Sequence, residues 1–248
     1  MRRALITGAA GAIGEAIAAE VRRRWPGCAL VLVDRDEVGL RRVADALGGE
    51  VRACDLSDLD ALDALVDGAG GPIDLLVNCA GVMWIRSVEA PTWDEAWRLL
   101  AIDLVAPLRL MHRLAGEMGA GSVIVNVASM AALVPLRGGA WYGASKAGLA
   151  MASEIARADL AGRGVRVVTV YPGPVASALE RGARADYGRR GLTEWMPMGQ
   201  PGPLARRVVD AVERGGARVV YPSVYEVARW LPGLARAFAL GLGPPPLR

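Results

Sequence analysis

The most constraining stretch is the opening run to Arg24. It begins with the short apolar segment Ala4-Leu5-Ile6-Thr7 and passes through Gly8-Ala9-Ala10-Gly11-Ala12-Ile13-Gly14. It continues as Glu15-Ala-Ile-Ala-Ala-Glu-Val-Arg-Arg-Arg24. The first segment is too short for a buried helix and reads as a strand, whereas the last has helical composition and periodicity. Glycine turns also serve purely structural ends, so the informative point is the placement between strand and helix. There the turn lets backbone approach a pyrophosphate, and the helix N-terminus favours its negative charge.

The same alternation continues down the chain. Apolar runs at Leu30–Val33, Val51–Cys54, Ile73–Asn78, Ser122–Ala128, Val165–Tyr171 and Ala217–Tyr221 read as strands. Between them lie helical stretches: Glu37–Leu47, Asp58–Ala69, a long one opened by the capping box Thr92 and Glu95, Tyr142–Leu160, and Leu204–Arg214. Pro107 sits inside the long helix and predicts a kink or break. The pattern predicts a Rossmann-type, doubly wound α/β fold, with a seven-stranded parallel sheet and helices on both faces. With 248 residues, 53% of them hydrophobic, the chain suits one such domain. We assign residues 1–222 to a single dinucleotide-binding and catalytic domain. Within it, 177–203 is rich in Gly, Pro and Arg, including Arg181, Arg184, Arg189 and Arg190, and is expected to be an irregular substrate lid. Residues 223–248 form a C-terminal helical extension, broken at Pro232-Gly233 and carrying Val227, Trp230, Leu231, Leu234, Phe238 and Leu242.

The chemistry-bearing residues cluster in Ser129–Lys146. In a helix, Tyr142 and Lys146 share a face, because residues i and i+4 stack. An ammonium beside a phenol stabilises the phenolate and lowers its pKa from about 10, towards values useful for proton transfer. Ser129 closes an apolar strand, at the sheet end where ligands of open α/β sheets bind, and its hydroxyl is placed to bond a reacting oxygen. Tyr-x-x-x-Lys by itself usually marks a solvated helix face; the rest of the chain gives the pair its meaning.

On the cofactor side, Asp34 ends the second strand at about the spacing, some 20 residues on, at which a carboxylate reads the adenosine ribose and repels a 2′-phosphate. The alternative for Asp34 is a helix N-cap. Arg35 follows it, as a solvated side chain or, if turned inward, a 2′-phosphate ligand. NAD(H) is therefore favoured and NADP(H) remains open. Asp55, followed by Leu56, either reaches adenine or caps the next turn. Asn78-Cys79-Ala80-Gly81 is small enough to pass close to the cofactor ribose.

Bulk properties narrow the classes. The net charge of +3 comes from 29 basic and 26 acidic residues that are scattered, so nucleic acid is not an expected partner. Three cysteines without a C-x-x-C spacing read as buried thiols in a reducing compartment, which implies a cytoplasmic location. His112 is the single histidine, and no metal site is expected. The apolar start breaks at once into Thr7-Gly8, which argues against a signal peptide, and no apolar run is long enough to span a membrane.

Taken in order, Thr7-Gly8…Gly14, Asp55, Asn78-Cys-Ala-Gly81, Ser129, Tyr142-x-x-x-Lys146 and Pro172-Gly173 with Ser177 resemble the short-chain dehydrogenase/reductase family in its simple single-domain branch. The match runs from residue 4 to about 222. The resemblance implies an NAD(P)-dependent oxidoreductase that interconverts a secondary alcohol and a ketone or aldehyde by hydride transfer. It makes Tyr142 the general acid/base, with Lys146 lowering its pKa and holding the nicotinamide ribose, and Ser129 orienting the substrate oxygen. Gly8, Gly11, Ala12, Ile13 and Gly14 become the pyrophosphate turn, with Asp34 and Arg35 at the ribose, and Asp55 and Leu56 near adenine. Asn78, Ala80 and Gly81 line the cofactor, and Pro172, Gly173, Val175 and Ser177 meet the carboxamide or diphosphate.

Two departures stand out. Gly11 takes the place before Ala12, where the simple branch has its middle glycine. That spacing is similar to the longer branch of epimerases and dehydratases, so a non-redox reaction with tightly held NAD is one alternative. Asp103 stands where an asparagine usually completes a catalytic tetrad through a water; it holds that water or is a structural acid. A cofactor-binding sensor or scaffold without turnover is the other alternative, although both Tyr142 and Lys146 are kept. Family members resemble dimers and tetramers, so a homo-oligomer is expected. Seven tryptophans against one phenylalanine point to a hydrophobic alcohol or carbonyl substrate, with Trp84, Trp141 and Trp195 as pocket walls and Met83, Met130, Met196 and Met198 nearby. Trp93 and Trp97 read as core packing.

Overall fold

The computed structural model describes residues 1–186 and 197–242. Its seven strands are β1 (Arg3–Thr7), β2 (Ala29–Asp34), β3 (Glu50–Ala53), β4 (Leu75–Asn78), β5 (Val123–Val127), β6 (Arg166–Pro172) and β7 (Arg218–Tyr221). They form one parallel sheet in the order β3-β2-β1-β4-β5-β6-β7. The helices are α1 (Ala12–Arg24), α2 (Glu37–Leu47), α3 (Leu59–Asp67), α4 (Trp93–Leu100), α5 (Ala106–Ala115), α6 (Ala140–Ala161), α7 (Ala178–Ala185), α8 (Pro201–Arg214), α9 (Glu226–Trp230) and α10 (Pro232–Leu242). A π-helical segment, Ala101–Val105, joins α4 to α5.

The central strands are mostly apolar because both faces of the sheet are covered, whereas the edge strand β3 is Glu-Val-Arg-Ala. Successive residues point to opposite faces, so one strand feeds two cores. Ala4 and Ile6 of β1 pack into one cluster with Ile17 of α1, Leu40 of α2 and Val208 of α8. Leu5, between them, packs into the other with Leu62 of α3, Leu110 of α5 and Ile124 of β5.

The doubly wound sheet expected from the alternation is the one observed. Four local expectations change. The long helix after Thr92 is interrupted: α4 keeps its capping box, but the ladder widens at Ala101–Val105, and Pro107 follows directly in the first turn of α5. Residues 178–185 are helix rather than irregular chain, and α8 starts at Pro201, inside the supposed lid. Trp93 and Trp97 are not core: they are 67% and 49% exposed. The C-terminal break precedes Pro232, which opens α10. Arg189, Arg190, Trp195 and Met196 lie outside the described residues, as do the side chains of Leu234, Phe238 and Leu242.

Candidate active site

The sheet order reverses between β1 and β4, and a groove opens there at the carboxyl ends of the strands, the ligand position of open α/β sheets. Its wall brings together Gly8, Gly11, Ala12, Ile13, Gly14, Asp34, Arg35, Asp55, Leu56, Ala80, Gly81 and Ser177.

The glycine turn is built by close backbone approach. Gly8 has φ +68, and a Cβ there would lie 2.7 Å from both Cα and N of Ala80. A Cβ on Gly14 would lie 2.1 Å from the Gly8 carbonyl oxygen. Thr7 fastens this junction: its buried hydroxyl accepts from the N–H groups of Cys79 (3.1 Å) and Ala80 (3.2 Å). Gly11 is the N-cap of α1 and offers no side-chain acceptor to the first turn. Those N–H groups, with the positive end of the helix, suit an anion. A bare helix start beside a cradle that excludes Cβ atoms fits a dinucleotide pyrophosphate.

Asp34 accepts from the N–H of Ala10 (3.2 Å) through one oxygen and of Asp36 (3.1 Å) through the other. It is not the cap of α2, because Asp36 fills that position. Arg35 is exposed on the groove wall. Asp55 accepts from both the backbone N–H and the hydroxyl of Ser57 and pairs with Arg98 at 2.7 Å. Burial pushes its carboxyl up, but these bonds and the Arg98 and Arg35 charges bring it below the ordinary aspartate value.

The candidate catalytic residues cluster behind Gly81. A Cβ on that glycine would lie 3.3 Å from Lys146 Nζ and 3.4 Å from Asp103 Oδ2. Ser129, just beyond β5, caps a short turn by accepting from the Ala131 N–H at 3.1 Å, and its hydroxyl pulls the Tyr142 phenol downward. Tyr142 and Lys146, on one face of α6, are both buried, and the ammonium lies 5.8 Å from the phenol ring centroid. Lys146 also donates to the Val127 carbonyl at 3.3 Å and pairs with Asp103 at 3.2 Å.

The charge balance differs from what the i, i+4 spacing alone implies. Burial pushes the Tyr142 hydroxyl above its ordinary value of 10.0; Lys146 and Ser129 pull down, Asp103 and Glu180 push up, and the balance is upward. Burial would lower Lys146, but Asp103 and Tyr142 hold it above 10.5. Asp103 is raised by burial, against the pull of Lys146 and of the Val82 N–H. A buried phenol in a nearly neutralised cluster is protonated at neutral pH.

Some of the expected cofactor-side residues are not on the groove wall. Asn78 is not on the groove wall: it is buried, and its amide donates to Asn126 Oδ1 at 2.7 Å, tying β4 to β5 beneath the site. Of that expected turn, Ala80 and Gly81 are on the groove wall, joined by Cys79. Pro172, Gly173 and Val175 also stand off the wall. Pro172 ends β6, Gly173 packs under the Tyr225 ring, and Val175 is buried and paired with Gly199. Ser177 reaches the wall and caps α7. Trp141 donates to the Val88 carbonyl and meets Trp93 edge-on at 5.9 Å, so it serves the loop before α4.

Glu180 was not anticipated. It lies on α7, paired with Arg184 at 2.8 Å, and its charge pushes the Tyr142 and Tyr225 phenols up; burial pushes its own carboxyl up and Arg184 opposes this. The sequence signal for it was present: Ser177-x-x-Glu180 has the spacing of a helix start.

Comparison with known proteins agrees with this geometry. The family model described as short chain dehydrogenase matches residues 2–188. D-threitol dehydrogenase of Mycolicibacterium smegmatis is 36% identical over 209 residues, 79% of each chain. Human 3-hydroxyacyl-CoA dehydrogenase type-2 is 34% identical over 196 residues, 71% of this chain and 74% of its own. A metagenomic short-chain oxidoreductase solved in complex with NADP superposes with a TM-score of 0.72 at 32% identity, covering 88% of this chain and 96% of that one. The 3-ketoacyl-(acyl-carrier-protein) reductase of Brucella melitensis, solved with NADH, gives 0.76 at 26%, covering 89% and 96%. With the groove at the switch point and the match spanning β1 to α7, the chain belongs to the short-chain dehydrogenase/reductase family of nicotinamide-dependent oxidoreductases.

Proposed function

We propose that the protein interconverts a secondary alcohol and its carbonyl counterpart, with Tyr142 as the proton-transferring group. The observation that supports this is the meeting of Ser129, Tyr142 and Lys146 at the carboxyl edge of the sheet, directly behind the groove wall at Gly81. When bound, the nicotinamide cofactor supplies or takes up the hydride. The chain does the rest. In reduction the Tyr142 hydroxyl gives its proton to the substrate oxygen, and in oxidation the phenolate takes the hydroxyl proton back. Ser129 bonds the same oxygen, and the Lys146 ammonium stabilises the phenolate. The upward balance on Tyr142 suits donation near neutrality and puts oxidation at higher pH.

Asp34 on the groove wall, with both oxygens facing backbone N–H groups, supports NAD(H) as the preferred cofactor; Arg35 beside it is the group that would admit NADP(H). Met130, buried next to Ser129, supports an apolar substrate body, and the Glu180–Arg184 pair adds a polar feature towards Tyr142. The α7 segment is the part of the proposed lid that reaches the groove, through Ser177 and Leu179. Exposed Val224, Val227, Trp230 and Leu231 support packing of the C-terminal extension in a homo-oligomer, and free thiols at Cys28, Cys54 and Cys79 suit the cytoplasm.

The test is Tyr142→Phe. Turnover of any accepted alcohol or ketone should fall by at least about a hundredfold, while NADH still binds, as followed by tryptophan-to-nicotinamide energy transfer. Undiminished turnover in that variant refutes the assignment.

A further inference from the structure

We propose that Asp103 is a positioning residue that sets the charge of the reacting cluster. By neutralising the Lys146 ammonium from within the protein, it keeps Tyr142 a proton donor and places alcohol oxidation at alkaline pH. This rests on the reading of Tyr142 as the reacting group. The π-helical segment Ala101–Val105 carries Asp103 inward until its side chain is fully buried. One carboxylate oxygen accepts from the Val82 N–H at 2.7 Å, which ties it to the groove loop. The other lies 3.2 Å from Lys146 Nζ and has no further hydrogen bond, so the contact is chiefly ionic. A buried pair of this kind adds little stability over an apolar pair, so its place beside Tyr142 calls for a role in the site. A carboxylate there does what a neutral amide cannot: it cancels the positive charge that would otherwise favour the phenolate.

The other groups facing the cluster do not substitute for it. The Cys79 thiol, pushed up to about 12 by burial, is neutral. Glu180 bears on Tyr142 from α7 but is already paired with Arg184. Ser129 pulls the Tyr142 phenol downward but carries no charge.

The experiment is a pH titration of tyrosinate absorbance on the full chain without substrate. Tyr142→Phe is subtracted from wild type, and Asp103→Asn/Tyr142→Phe from Asp103→Asn. An asparagine keeps an acceptor for the Val82 N–H. The Tyr142 transition should move down by about one pH unit or more in Asp103→Asn, and the alkaline limb of alcohol oxidation should move down with it. A transition that stays or rises in a folded variant overturns the proposal. Should Asp103→Asn fail to fold, Asp103→Ser, which also removes the charge and keeps a hydroxyl, carries the same expectation. The titration needs no turnover, so the expected shift in a chain that oxidises no alcohol would uphold the charge assignment and count against the proposed reaction.

Discussion

Gly14→Ala tests whether the turn is as tightly closed as its geometry implies. The added Cβ would lie 2.1 Å from the Gly8 carbonyl oxygen, 2.7 Å from its carbon and 3.0 Å from Ala9 Cα. All three are backbone atoms, so no side chain can swing away, and an ordinary carbon–oxygen contact of about 3.3 Å requires a shift of about 1 Å. Gly8 cannot retreat, because it already lies against Ala80, and Thr7 bonds the Cys79 and Ala80 N–H groups behind it. Overpacking of this kind costs up to about 3 kcal/mol, and alanine in a helix returns about 1 kcal/mol. The net loss of about 2 kcal/mol lowers Tm by roughly 4–8 °C in a chain of this size. The control is Gly11→Ala, whose Cβ meets only the Gly8 oxygen at 3.3 Å and whose φ of −79 suits any residue. There the loss is that of a weaker N-cap, about 1 kcal/mol or less. Thermal unfolding ranks the two, and NADH titration should show at least tenfold weaker binding for Gly14→Ala. A Gly14→Ala protein that unfolds no earlier than Gly11→Ala would refute the closed-turn argument.

Two further outcomes follow from single carboxylates. Asp34→Ser should weaken NADH binding by about tenfold, the loss of one charge-assisted bond, and improve the NADPH-to-NADH affinity ratio by at least as much; an unchanged ratio in paired titrations would remove Asp34 from cofactor selection. Asp74 accepts from the N–H groups of Arg2 (2.8 Å) and Arg3 (3.2 Å), and although burial pushes its carboxyl up, these bonds bring it below the ordinary 3.8. A lowered acid stabilises the fold above its unfolded pKa and loses that contribution as pH falls through the folded one. Asp74→Asn should therefore cost about 1–2 kcal/mol at pH 7, and denaturant midpoints of the two proteins should converge below pH 3.8; a gap that persists there would count against the assignment.

The sheet was legible because its strands carry one signal that survives burial. Leu30–Val33 is apolar at every position and Val123–Val127 at every position but Asn126, a pattern that suits a strand covered on both faces. The helix over Ala178–Ala185 is hidden by Arg181, Gly182 and Arg184, which read as loop by composition, although the Ser177 and Glu180 pair that starts it has helix-start spacing. Pro107 announced a disturbance after Leu100 but not its form. The π-helical segment carries the Asp103 carboxylate to the Val82 N–H and Lys146, tertiary contacts that no local pattern encodes.

The reacting cluster shows where spacing stops and depth takes over. Four residues along a helix suffice to put Lys146 beside Tyr142, and on a solvated face that arrangement favours the phenolate. Inside this protein the same spacing has the opposite net result, because burial acts on the phenol first and Asp103 cancels much of the ammonium. Burial is a property of the assembled sheet, and the Asp103–Lys146 contact joins the π-helical segment to α6 across 43 residues of chain. On the proposed assignment, the short motif names the proton-transferring group, and the pH at which that group would work depends on a residue outside the motif. A chain with asparagine in place of Asp103 would keep every other residue of the cluster and leave the Lys146 charge without its buried partner.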